Sequence, residues 1–405
     1  MPLKLKTLAA AAGSVGAAAW SALWTFPSML FSAFLVAWGA EAAQFLISQG
    51  LALAILAWLQ TMPEFAVEAV IAWQAGKDPA SCFVGAPAIG CHSHLAIANF
   101  TGAIRLLVGL GWPMIYFVHA WFRRRDGEGM RAILLDEQHS VEVLATVPPL
   151  AYFVWIWHKA HIDLTDAVVL LAMYAVYLAI LWRLPSEREE SLSEAPRVSR
   201  WAYGQPGWRR PAAIVGLFLA GGVLMYVTAH PFLDSMLALA ATFGISQFVF
   251  VQWVAPFVSE FPEKVSAFHW ASRKGKAPMA MMNMMSSNVN QWTVLAAMIP
   301  LVISWSRGTP AALSFDGAQR QEILLTVLQS VVAVLLVLDL RFEWWSALAL
   351  FALWLLGFVK ADWRDELCVM YALWSGGLVA SWYWKRPTAL AAFLRTIRGS
   401  AHPSR

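Results

Sequence analysis

Two prolines, each followed by a glutamate, stand inside stretches that are otherwise apolar: "LQTMPE" at 59–64 and "VSEFPE" at 258–263. A proline in a helix cannot donate to the fourth residue back. It therefore frees a carbonyl near Leu59 in one stretch and near Val258 in the other. In hydrocarbon a freed carbonyl must find a partner, and a cation is one. A carboxylate at that depth is costly unless paired, solvated or protonated, and such residues are functional as a rule. Glu64 and Glu263 brought together make a hard-oxygen site of the kind that suits Ca²⁺, Na⁺ or protons. The competing readings are a packing kink for the prolines and a structural ion pair with Arg105 or Lys264 for the acids. Downstream, Asn283, Ser287 and Gln291 are spaced four apart and share a helical face. Asn99 stands at the matching place in the first half. These amides and hydroxyls serve either an ion or helix–helix contact.

The elements that hold these residues span a membrane. The 405-residue chain is 59% hydrophobic, with 23 Trp and a mean hydropathy of +0.57, which excludes a soluble globule. The net charge of +4 sits in a few short loops, where it suits anionic lipid headgroups; no nucleic-acid partner is expected. Apolar spans are predicted at roughly 9–40, 50–74, 95–121, 144–158, 164–182, 211–240, 245–270, 278–305, 322–339, 344–360 and 367–384. The basic start and small-residue run before Trp20 have features of a signal peptide, but the internal repeat makes this segment the first half of a long helix. The charged, Pro-containing stretch 183–210 reads as a cytoplasmic linker. Lys and Arg follow spans three, five, seven and eleven, which places the N-terminus outside and the C-terminus in the cytoplasm, in the plasma (inner) membrane.

The two halves repeat in order. "AAQFLISQ" at 42–49 echoes "AATFGISQ" at 240–247, "TMPEFAVEAV" at 61–70 echoes "EFPEKVSAFH" at 260–269, and "AIANFTGA" at 96–103 echoes "AMMNMMSS" at 280–287. With five spans per half, the second copy runs opposite to the first, the mark of secondary transporters. The expected fold is an all-α polytopic membrane protein. It has two inverted five-helix repeats (1–182 and 211–360) and one extra C-terminal helix with a basic tail (361–405).

This constellation resembles the calcium:cation antiporter superfamily, the sodium/calcium exchanger type, over roughly residues 9–360. "LQTMPE" and "VSEFPE" look like its first motif; "MNMMSSN" at 282–288 looks like its second, and "ANFTGAI" at 98–104 is a weaker form of that motif. The resemblance implies that Glu64 and Glu263 are the central ion-binding carboxylates. Thr61 and Ser259 match hydroxyl positions, and Asn99, Asn283 and Ser287 match amide and serine positions. Gln291 takes the place of a further ligand, where the first copy has Leu107. Gln60 and Glu260 replace small hydroxyl residues, and Arg105 stands where the family is apolar. A buried Arg needs an acid; Glu64, Glu68, Glu260 and Glu263 are the candidates. Glu260 and Lys264, four apart, are placed to pair.

The activity implied is secondary antiport of Ca²⁺ or another cation against Na⁺ or H⁺ by alternating access, with spans one and six sliding past spans two, three, seven and eight. No enzymatic activity and no cofactor are expected, since no nucleophile–base pair or metal-ligand helix motif is found. The alternative is an exchanger fold that has lost Ca²⁺ transport, with Arg105 as internal counter-ion. Lesser features are "CHSH" at 91–94, which reads better as a polar loop than a metal site, and the five Met of 278–286, which read as flexible packing. Cys82 and Cys91 are either a bridge or two thiols. "LAAFLRTIR" at 390–398 is a basic amphipathic stretch for the inner leaflet.

Overall fold

The computed structural model describes residues 2–43, 45–46, 61–77, 92–125, 132–183, 192, 195–381 and 387–400, with only the backbone of 2–19, 125 and 398–400. The first half runs α1 (Pro2–Ala43), α2 (Met62–Lys77), α3 (His92–Leu106), a π-helical turn (Leu107–Gly111), α4 (Trp112–Arg125), β1 (Ala132–Leu134), α5 (Ser140–Ala145), α6 (Val147–Lys159), β2 (His161–Ile162) and α7 (Leu164–Arg183). After α8 (Arg197–Tyr203) the second half runs α9 (Arg209–Phe243), α10 (Gln247–Ser259), α11 (Phe261–Ala271) and α12 (Ala277–Asn290). A second π-helical turn (Gln291–Leu295) follows, then α13 (Ala296–Arg307), β3 (Leu313–Ser314), α14 (Gly317–Val337), β4 (Arg341–Glu343) and α15 (Trp344–Val359). The extra C-terminal helix is α16 (Arg364–Ser381), followed by α17 (Ala389–Ser400). Among the described residues, seven helical segments are long and apolar enough to cross a membrane, and α10 and α15 are shorter apolar helices.

Several local features recur at matching places in the two halves. Each π turn begins eight residues after the motif asparagine, at Leu107 and at Gln291. Asp136 with His139 and Asp316 with Gln319 form capping boxes at the start of the fourth span of each half. The strand pairs are exchanged by the same operation. β1 and β3 follow the third span of each repeat and β2 and β4 follow the fourth; β1 pairs with β4 and β2 with β3, both antiparallel. This pattern agrees with the inverted arrangement.

The long helices α1 and α9 pack antiparallel. Thr25 and Ser235 hydroxyls lie 2.9 Å apart, and a Cβ on Gly221 would meet Val36 at 2.8 Å. At Gly102 the approach is tighter: a Cβ there would lie 1.9 Å from the Gln252 carbonyl oxygen. Glycine is thus what lets α3 cross α10 at backbone contact. The last turn of α1 meets both α8 and α11, and α4 packs against α11. Glu41 accepts from Ser199 and Ser266, and a ring nitrogen of His119 lies 3.4 Å from the Ala271 carbonyl oxygen.

Some expected boundaries move. Span seven is two helices broken at Glu260, and Pro262 opens α11 instead of kinking a continuous helix. A proline in the first helical turn has no partner to lose, so it starts a helix at no cost. Within the expected linker 183–210, α8 is ordered against α1 by Ser199 and Glu41. The first part of span two, Gln60, Cys82 and Cys91 lie outside the described residues. His92 and His94 open α3, and His94 Nε2 lies 3.1 Å from Asp316. Of the five Met, Met281, Met282, Met284 and Met285 are buried, as packing residues are.

Candidate functional site

Both proline–glutamate pairs start helices. Thr61 stands in the turn before α2 and is buried, and its carbonyl accepts the Phe65 N–H at 3.1 Å. Glu64 and Glu263 lie in the first turns of α2 and α11. There the helix dipole and unsatisfied N–H groups favour negative charge. Breaking the span at this point therefore gives each buried carboxylate a positive helix end to sit on.

Gln291 ties the two halves together. Its amide nitrogen donates to Glu64 Oε2 at 2.9 Å and to Glu260 Oε1 at 3.0 Å. It sits at the first residue of the π turn in the second half, a helix form common at functional sites. The other oxygen of Glu260 accepts from Lys264, so the expected i,i+4 pair is present. Glu263 faces Glu260, Lys264 and Ser287. In the first half Asn99 donates to Glu68 Oε2 at 2.7 Å; the second repeat has Ala267 at the corresponding place, so Glu68 is an acid of one half only. Ser259 turns its hydroxyl back to its own helix, donating to the Ala255 carbonyl at 3.0 Å, which leaves its lone pairs open.

The remaining acceptors fit a hard cation. Glu64 Oε1, Glu68 Oε1, both oxygens of Glu263, Asn99 Oδ1, Ser287 Oγ and Gln291 Oε1 are buried and accept or make no hydrogen bond among the described residues. Asn283 is buried and its Nδ2 is likewise unsatisfied. Buried polar atoms are rarely left so, and a run of oxygens is the donor set of Ca²⁺ or Na⁺ rather than of a soft metal. Among the described residues, no three His, Cys, Asp or Glu side chains already converge as a metal cluster; the Gln291 amide stands between Glu64 and Glu260, and the Lys264 ammonium pairs with Glu260.

Arg105 is placed otherwise than expected. None of Glu64, Glu68, Glu260 and Glu263 is its partner. Its Nη1 lies 2.8 Å from Glu322 Oε2 on α14, and the same oxygen accepts from Gln252 Nε2 at 2.9 Å. Arg364, at the start of α16, pairs with the other oxygen of Glu322. The Trp253 ring lies 5.0 Å from the Arg105 guanidinium carbon. Arg105 is thus compensated away from the central acids and does not occupy a cation's place among them. Glu322 escapes a sequence reading because it falls at the predicted edge of span nine. A further repeat marks it: "DEQHSVEVLAT" at 136–146 aligns with "DGAQRQEILLT" at 316–326, pairing Glu142 with Glu322 and Thr146 with Thr326. Both threonines donate to the carbonyl of their glutamate, at 3.0 and 2.7 Å.

The fold has relatives among known proteins. The sodium/calcium exchanger protein family model matches residues 16–183 and 213–359. Among solved structures, the chain is similar to the H⁺/Ca²⁺ exchanger CAX, with 30% identity over 95% of this chain and 92% of that one and a TM-score of 0.84. It shares its fold with the sodium-calcium exchanger NCX_Mj, at 17% identity over 85% of this chain and 99% of that one, with a TM-score of 0.51. A second structure of that exchanger, soaked with Na⁺ and Sr²⁺, gives 16% identity, the same coverage and a TM-score of 0.53. No curated protein sequence matches the chain.

Proposed function

The chain belongs to the sodium/calcium exchanger family of integral membrane cation antiporters, and we propose from that premise that it exchanges Ca²⁺ for H⁺. Glu64 and Glu263 are the central carboxylates in this reading. Glu260, Thr61, Ser259, Asn99, Asn283, Ser287 and Gln291 complete the oxygen-rich surround. The observation that carries it is the Gln291 bridge between Glu64 of one repeat and Glu260 of the other, among oxygens with unused lone pairs. Incoming Ca²⁺ competes with the Gln291 amide and the Lys264 ammonium for these acids. Protons compete for the same carboxylates, so loading with one releases the other. H⁺ is favoured over Na⁺ as counter-ion because the H⁺/Ca²⁺ exchanger is the more similar in sequence of the two relatives, at 30% against 17% identity.

The division into repeats at 1–182 and 211–360, joined at 183–210 and extended by 361–405, belongs to the same proposal. So do sliding of α1 and α9 past the core as the access step, and an orientation with the basic ends of α4, α8 and α11 in the cytoplasm. A lost-transport reading needs Arg105 as counter-ion to the central acids, and Arg105 pairs with Glu322 instead. The test is uptake of ⁴⁵Ca²⁺ into proteoliposomes under an imposed pH gradient or Na⁺ gradient. Uptake driven by the pH gradient is expected. Uptake driven by Na⁺ alone would replace H⁺ with Na⁺, and no uptake under either would end the Ca²⁺ assignment.

A further inference from the structure

Beside the short helix α8 lies a cavity of about 460 Å³ between the end of α1 and α11. Its inner wall is apolar, from Phe34, Ala37 and Trp38 of α1 and Val265 of α11; its rim carries Arg197, Arg200 and Arg273. Arg197 and Arg200 are exposed, and among the described residues their guanidinium groups enter no ion pair. On the floor, Glu41 is buried and accepts from Ser199 at 3.1 Å and from Ser266 at 3.2 Å. It thereby joins α1, α8 and α11 at one point.

A second observation sets the depth of this cavity in the bilayer. Trp201 on α8 and Trp208 just before α9 are 58% and 76% exposed. Exposed tryptophans of this kind mark the interface between headgroups and acyl chains. The arginines on the same short helix are therefore at headgroup level, while the apolar wall continues toward the hydrocarbon.

We propose that this cavity binds an anionic phospholipid, its phosphate on Arg197, Arg200 and Arg273 and the start of an acyl chain against Trp38 and Val265. Charge decides against a cation: three arginines and one carboxylate line the cavity, and that carboxylate already accepts two hydroxyl hydrogen bonds. The apolar wall decides against a soluble anion, which has nothing to place there. Basic pockets between transmembrane helices recognise lipid headgroups on these same terms. Pro262 also lines the cavity, and Ser266 is one turn beyond Glu263. A lipid in place would hold α8 against α11 and bear on the movement of α1, so the exchange rate should depend on anionic lipid. That last consequence alone rests on the exchange activity proposed above.

The binding itself is read without transport. Purified protein is washed into phosphatidylcholine–detergent micelles, and retained lipid is measured by native mass spectrometry after addition of phosphatidylglycerol, or of phosphatidylglycerol together with water-soluble glycerol 1-phosphate. Preferential retention of phosphatidylglycerol, undisturbed by glycerol 1-phosphate, is the expected result. The Arg197→Gln/Arg200→Gln variant should weaken it roughly 25-fold, about fivefold for each arginine near an anionic headgroup. Val265→Trp, which fills the apolar wall from an exposed position, should weaken it with the arginines intact. Tryptophan-fluorescence melting confirms that both variants are folded. Equal retention of phosphatidylcholine, retention unaffected by both variants, or displacement by glycerol 1-phosphate would each overturn the proposal. If phosphatidylglycerol is retained but no exchange is seen in any lipid, the failure lies with the transport reading and not with the lipid site.

Discussion

Removing the charge at Glu322 should destabilise the protein more than removing Glu322 and Arg105 together. The Glu322 carboxylate holds Arg105 at 2.8 Å, Gln252 at 2.9 Å and Arg364 on its other oxygen. The side chains of Glu322 and Arg105 are 1% and 4% exposed, whereas that of Arg364 is 26% exposed and has access to water. Glu322→Leu therefore leaves Arg105 charged, dry and without an acid, a loss of about 3–5 kcal/mol. Arg364 can hydrate, so its share of that loss is small. Arg105→Leu made on top of Glu322→Leu removes the stranded guanidinium and places an apolar side chain in an apolar span. What then remains is a Gln252 amide without its carboxylate, roughly 1–3 kcal/mol. The double variant should thus recover on the order of 2 kcal/mol relative to Glu322→Leu alone, a coupling of the size seen for residues in one network. Thermal unfolding of the purified variants in detergent, followed by tryptophan fluorescence, gives the order of midpoints: wild type, then the double variant, then Glu322→Leu. Calorimetric titration of the double variant with Ca²⁺ should give an affinity close to wild type, because its net charge near the central acids is unchanged. A double variant whose loss equals the sum of the two single losses would refute the reasoning. So would a large rise in its Ca²⁺ affinity, which would return Arg105 to the ion site.

Neutralising Glu64 or Glu263 as Gln should abolish Ca²⁺-dependent flux in proteoliposomes while the protein still folds, since a neutral Gln is easier to bury than a carboxylate; unchanged flux in both would move the pathway elsewhere. Gln291→Leu removes the donor to Glu64 and Glu260, at roughly 1.5–3 kcal/mol for each bond to a charged group. The variant should melt earlier than wild type without Ca²⁺ and gain less than wild type when Ca²⁺ is added, because Gln291 Oε1 is also lost from the site. Gly102→Ala should lower the melting temperature and the yield, because its Cβ would lie 1.9 Å from the Gln252 carbonyl oxygen and overpacking costs about 1–3 kcal/mol or more. Acidification should weaken Ca²⁺ binding and alkalinisation strengthen it, since a proton and Ca²⁺ cannot hold the same carboxylate oxygens; a titration series across pH with constant affinity would count against H⁺ as counter-ion.

Much of this protein was fixed by features local in sequence. Apolar run length gives the spans, since a helix of about 20 residues crosses the hydrocarbon. The recurrence of "PE" and of the asparagine positions gives the paired half-helices, because a proline acts on its own turn and a glutamate is costly wherever the bilayer surrounds it. The Glu260–Lys264 pair is legible for the same reason: residues four apart on a helix face one another whatever else packs there. The repeated Asp–Glu–Thr pattern at 136–146 and 316–326 was equally legible and points to Glu322. The partners themselves were decided only in three dimensions. Arg105 pairs with Glu322, 217 residues away, and Gln291 with Glu64, 227 residues away. Asn99 takes Glu68, an acid with no counterpart in the second repeat. Such choices depend on how each helix is rotated about its axis and how closely it crosses its neighbours. Gly102 permits α3 to touch the α10 backbone, and from that contact follow the positions of Gln252, Glu322 and Arg105. The periodicity of a single helix carries its own apolar face but not the depth or rotation of the helix against it, so the sequence supplied the charged groups and tertiary packing chose which of them meet.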